Sequence, residues 1–95
     1  MRSLTGFAAI VLLFAALAAT AADVAADGEI HDRLMVKLAA DRDVRGSHIE
    51  VDVKDGRVTL GGWVHDDRAK RRAEKLAKKE KGVKEVINNI TVRPK

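Results

Sequence analysis

The 95-residue chain has no cysteine and no tyrosine, one proline, one tryptophan and two serines. Without cysteine there is no disulfide framework, no lipoprotein anchor and no thiolate metal site. Ser3 lies in a leader-like N-terminus, so Ser47 is the one serine left to the folded part, and no nucleophile constellation can be assembled around it. His31, His48 and His65 stand seventeen residues apart and form no i, i+4 ligand pair. His48, Glu50 and Asp52 share one strand face, but neighbours on such a face sit ~6–7 Å apart, too wide for one compact coordination sphere. These absences describe a non-enzymatic chain with no metal and no cofactor. Aromatics are as scarce: Phe7 and Phe14 belong to the N-terminal run, which leaves Trp63 alone. Lysine and arginine without a stacking platform argue against a nucleic-acid partner.

What is present begins with an address. "MRSLTGFAAIVLLFAALAATAAD" has one early positive charge, Arg2, and an apolar run from Phe7 to about Ala19. Small residues then allow cleavage after Ala21 or Ala22, so residues 1–22 read as a secretory signal peptide. The alternative, a retained anchor, is disfavoured because the run is shorter than the ~20 residues that span a bilayer. The expected location is the periplasm, reached by export and not as a lipoprotein. A short segment, 23–26, then leads into one small domain over 27–93. Its charge is divided: Asp23–Leu60 carries 9 acids against 6 bases, and Gly61–Lys95 carries 5 acids against 11 bases. An exported chain does not normally meet DNA or RNA, so the basic half points to anionic phospholipid or to an envelope protein.

Periodicity predicts the elements. Ile30, Leu34 and Leu38 repeat every four residues, with Met35 beside them, as one stripe of a helix for which Asp27 is the expected N-cap. In "HIEVDVKDGRVTLGGWV", Ile49, Val51 and Val53 alternate with Glu50 and Asp52. Asp55-Gly56 is a type I′ hairpin signal that makes Gly56 structural. That turn pairs Lys54 with Arg57, Val53 with Val58, Val51 with Leu60, and Ile49 with Gly62. On the other face it pairs Asp52 with Thr59, Glu50 with Gly61, and His48 with Trp63. Gly62, on the inner face, is expected to admit a close helix. Asp66 is the expected cap of a second helix whose stripe is Ala69, Ala73, Leu76 and Ala77. Gly82 is expected at its C′ position. In the last strand, "KEVINNITV", Val86, Ile90 and Val92 point inward, Ile87 and Thr91 outward. Asn88 shares the inward parity and requires a bend or a satisfied side chain. The predicted fold is α+β: an αββαβ sandwich with a three-stranded sheet and both helices packed on one face.

The order and spacing of these parts resemble the BON domain. The residues carrying the likeness are the Ile30/Leu34/Leu38 helix, "DRDV" at 41–44, the hairpin, and Val58-x-Leu60-x-Gly62-x-Val64. Gly82-Val83 followed by Val86, Asn88 and Ile90 completes it. The resemblance spans about Asp27 to Val92. It implies an export-associated domain without enzymatic activity, linked to phospholipid or envelope binding and to osmotic stress. Glu80 departs from the pattern, since the family usually has an apolar residue there; snorkelling or a pair with a neighbouring lysine would accommodate it.

Two surfaces are candidates. Between Arg68 and Lys81, "RAKRRAEKLAKKEK" holds eight bases among fourteen residues. Arg68, Arg72, Lys75 and Lys79 form a ridge on the helix flank, with Lys70, Arg71, Lys78 and Lys81 around it. Such a run is ordinarily a solvated face, but a helix of mixed sign would serve that purpose as well. The functional reading is weak contact with anionic head groups, each base near the surface contributing ~1 kcal/mol. The face of the first helix near Met35 and Val36 is an alternative lipid reader. The second surface is the open sheet face, where Trp63 lies near His48, with Ile87 as a further expected neighbour. Its plain reading is a cross-strand pair. Its functional one is an anchor for a protein partner or a weak homo-oligomer. That second reading makes the chain a protein-interaction or self-association module.

Overall fold

In a computed structural model that describes residues 20–95, Asp55 and Gly56 have φ of 53° and 78°. Both values are left-handed, as a type I′ turn requires. The turn joins β1 (His48–Lys54) to β2 (Arg57–Val64) in the expected antiparallel register, from Lys54↔Arg57 to His48↔Trp63. Alternation then does the sorting. Val58, Leu60 and Val64 are buried, whereas Glu50, Asp52 and Lys54 are exposed.

The inner face is covered by α1 (Thr20–Ala40) and α2 (Asp67–Lys79), and Ile30, Leu34, Leu38, Ala69, Ala73 and Ala77 are buried against it. Leu34, Leu60 and Ile90 are among the fully buried side chains, each contributing ~1.5–3 kcal/mol by leaving water. Asp66 caps α2 as expected, accepting from the Ala69 N–H at 2.8 Å. The chain then returns parallel to β2 as β3 (Glu85–Asn88) and β4 (Thr91–Val92), so the sheet order is β1-β2-(β3, β4).

Four expectations are corrected. The sheet has four strands and not three, because the last strand is interrupted at Asn89 and Ile90. Both parts keep one register on β2, as Arg57↔Glu85 and Trp63↔Thr91 show. The interruption follows from Asn88, which donates to Lys70 O at 3.0 Å and accepts from Ile90 N–H at 3.1 Å. A half-buried amide is thereby satisfied by drawing the backbone aside.

Asp27 does not cap the first helix, which runs on from Thr20 through Gly28. Its carboxylate instead accepts from Asp55 N–H at 2.7 Å and Gly56 N–H at 3.0 Å, tying α1 to the hairpin turn. Gly62 is needed for a different reason from helix approach. Its φ is 86°, and an added Cβ would stand 1.9 Å from His48 O, so the close neighbour is the β1 backbone. Gly82 is not C′. The C-cap is Glu80, and Gly82, φ 92°, is the third residue of a turn closed by Val83 N–H to Glu80 O at 3.3 Å.

The apolar run to Ala19, the main part of the expected signal, lies outside the described residues. Residues 20–26, which include the expected segment 23–26 and the end of the signal, are helical as the start of α1.

Candidate functional site

The basic helix is held by its small side chains. Ala69, Ala73 and Ala77 are buried and Leu76 packs at the core's edge, which brings the helix axis close to the sheet and turns its bases outward. Arg71, Lys75, Lys78 and Lys79 are exposed, and Lys70 and Arg72 are half-buried on the flanks. Lys78 pairs with Glu74 at 3.4 Å, one turn earlier. Among the described residues, Lys70, Arg71, Lys75 and Lys79 form no ion pair.

The expected ridge is divided by an acidic loop. Arg72 donates its Nε–H to Asp41 at 2.8 Å, and Arg68 lies 3.8 Å from Asp43. Burial pushes the Asp41 carboxyl up, but the hydrogen bond from Arg72, the N–H groups of Asp43 and Val44 and the arginine charge together hold it below its ordinary value. Arg72 thus belongs to the seam between the helices. Arg68, far more exposed, is screened only loosely. The "DRDV" stretch contained these partners, but nothing in a linear reading joins Asp41 to a residue 31 positions on.

Glu80 ends the basic helix inside the seam. Its side chain, 3 % exposed, accepts from Arg33 Nε at 2.8 Å and from Lys37 Nζ at 2.5 Å. The hydrogen bond from Lys37 is the largest influence on it. That bond and the one from Arg33 outweigh burial and hold the carboxyl below its ordinary value. The lysine partner anticipated for Glu80 is therefore on the other helix. Met35 and Val36, the alternative lipid readers, are exposed on α1, and Met35 lines a groove of about 230 Å³ with Leu38, Val44, Arg45 and Ile49.

On the opposite side of the sheet, Trp63 is half-buried among His48, His65 and Arg93. His48 stacks on it with ring centroids 6.4 Å apart, and His65 tilts against it at 5.2 Å. The Arg93 guanidinium lies 5.7 Å from the indole centroid, a cation–π contact, and His65 Nδ1 donates to Arg93 O at 3.0 Å. Ile87 is not a neighbour of Trp63, because it sits beside Thr59, four residues back along β2. His65 and Arg93 were not singled out as candidates. The pairing of Trp63 with Thr91 is what brings Arg93 into the cluster, and that depends on the parallel return of the last strand. Among the described residues no group of three metal-binding side chains converges.

The family described as BON domain matches residues 26–94 of the chain. The chain is also similar to Osmotically-inducible protein Y of Escherichia coli (strain K12), with 38 % identity over 66 residues, or 70 % of this chain and 33 % of that protein. It therefore spans about a third of the length of that curated relative.

Proposed function

Since this chain belongs to the BON-domain family, we propose that it is a non-enzymatic protein of the bacterial envelope that binds anionic phospholipid peripherally through α2. The observation that carries this reading is the helix's orientation. Its alanine stripe is buried, and Arg71, Lys75, Lys78 and Lys79 point to solvent with Lys70 at their margin. Four bases at ~1 kcal/mol each give about 4 kcal/mol, a roughly millimolar grip that salt weakens. A helix whose apolar side is already committed to a sheet does not insert, so contact is electrostatic and superficial.

Export to the periplasm under a cleaved signal accords with the N-terminal run, and the name of the Escherichia coli relative supports a role under osmotic stress. The test is flotation with vesicles, using the protein recovered from the envelope of producing cells with its N-terminus defined by intact mass. Vesicles containing phosphatidylglycerol and cardiolipin should carry it at low salt and release it at physiological salt, while neutral vesicles should not carry it. Changing Arg71, Lys75, Lys78 and Lys79 together to Gln should abolish flotation. Equal flotation of this variant would refute the assignment to α2.

A further inference from the structure

The open face of the sheet is self-complementary about Gly61. The register places Glu50 beside Gly61 on one side, and Asn89, which donates its N–H to Leu60 O at 2.8 Å, on the other. Positions equally distant from this central row then oppose each other in character. Along β2, bulky Trp63 mirrors small Thr59. Along β1, His48 mirrors Asp52. Along the returning segment, Arg93, one residue beyond β4 with its N–H on Val64 O, mirrors Glu85, and Thr91 mirrors Ile87. His48, Asp52, Glu85, Ile87, Thr91 and Arg93 are all exposed.

We infer that the partner of this face is a second copy of the chain, packed sheet to sheet about a two-fold axis that passes over Gly61 and runs across the strands. Such an axis exchanges the two ends of every strand, so each residue meets its mirror position on the other copy. Trp63 lies over Thr59 and beside Ile87 of the second copy, next to Gly61, whose own missing side chain leaves the flexible Glu50 carboxylate as the nearest group. Arg93 meets Glu85, and His48 meets Asp52, each contact occurring twice. Facing sheets sit about 10 Å apart and cross at about 30°, which long Arg and Glu side chains at the periphery can follow. Two juxtapositions oppose association: Glu50 meets itself, and His65 meets Arg57. They keep the dimer weak. The surface is separate from the proposed lipid contact, because α2 lies on the other side of the sheet. A dimer would carry its two basic helices on opposite outer sides.

Charge exchange provides a test that intramolecular effects cannot imitate. Glu85 stands beside Arg57 and Arg93 is bonded to Val64, at opposite ends of β2, roughly 23 Å apart at ~3.3 Å per residue and too far to pair within a copy. The protein recovered from producing cells, with its N-terminus defined, should show concentration-dependent dimerisation by sedimentation. The emission of its one tryptophan should shift to shorter wavelength in step. Arg93→Glu and Glu85→Arg should each weaken self-association about tenfold or more, since each puts like charges together twice. Mixing the two variants should restore association as a heterodimer, because positions 85 and 93 are then both acidic in one copy and both basic in the other. Trp63→Ala should also weaken the dimer, with circular dichroism showing that each variant remains folded. A chain that stays monomeric up to millimolar concentration overturns the inference. So does a dimer that is indifferent to these substitutions, or a mixture no more associated than its components.

Discussion

Glu80 closes the second helix by placing its carboxylate 2.8 Å from Arg33 Nε on the first, so that the two helices are joined by charge. Lys37 completes the group, and the bases are about half exposed (43 % and 51 %) while the acid is buried. Removal of the acid returns both bases to water, which moderates the loss. Glu80→Ala is expected to cost about 1–2 kcal/mol, read as a lower urea midpoint, and Glu80→Leu less than ~1 kcal/mol because an apolar side chain suits the site.

Acid should undo the same seam. Glu80 and Asp41 are both held below their ordinary values in the fold. A carboxyl whose pKa is lowered by folding stabilises the fold above its unfolded pKa, and the contribution is lost as pH falls through the folded value. The urea midpoint should therefore be level near neutrality and fall from about pH 4.5 downward. The double variant Asp41→Asn, Glu80→Gln should start lower and show a shallower acid limb. An unchanged limb would locate acid sensitivity elsewhere.

Asp27 is expected to matter at the hairpin and not at a helix start. It binds the N–H groups of Asp55 and Gly56, so Asp27→Ala should cost about 1.5–3 kcal/mol. Amide exchange distinguishes the two roles: the Asp55 and Gly56 amides should exchange faster, with the amides of residues 28–31 little changed.

Two adjacent glycines should respond differently to alanine. At Gly62 the positive φ and a Cβ 1.9 Å from His48 O leave no room, and Gly62→Ala should destabilise by more than ~3 kcal/mol. At Gly61 the nearest atom, Glu50 Oε2, would be 3.5 Å away on a flexible side chain, so Gly61→Ala should change stability by under ~1 kcal/mol. Thermal unfolding of the pair decides it.

Loop acids should set how many bases the proposed lipid surface offers. Asp43 lies 3.8 Å from the exposed Arg68, so Asp43→Asn should strengthen flotation with anionic vesicles by a few-fold at low salt. Asp41→Asn should act mainly on stability, since its partner Arg72 is in the seam. Unchanged flotation of the Asp43 variant would show that Arg68 takes no part.

Local pattern determined much of this protein. Alternation from Ile49 to Val53, a turn that accepts only left-handed residues, and a stripe of alanines after Asp66 specify the hairpin register and both faces of the basic helix. Each of those rules acts between residues a few positions apart or across one tight turn. The unusual inward Asn88 was also legible as a problem, though not which carbonyl and which N–H would solve it. Tertiary structure alone decided the rest. The partners of Glu80, Asp41 and Asp27 lie 28 to 47 residues away, and the position of Arg93 over Trp63 depends on where the parallel strand returns. A charged side chain names no partner by its own spacing, because Coulomb attraction and hydrogen bonding are blind to separation along the chain. Only packing of the apolar stripes brings the two ends of each such pair together.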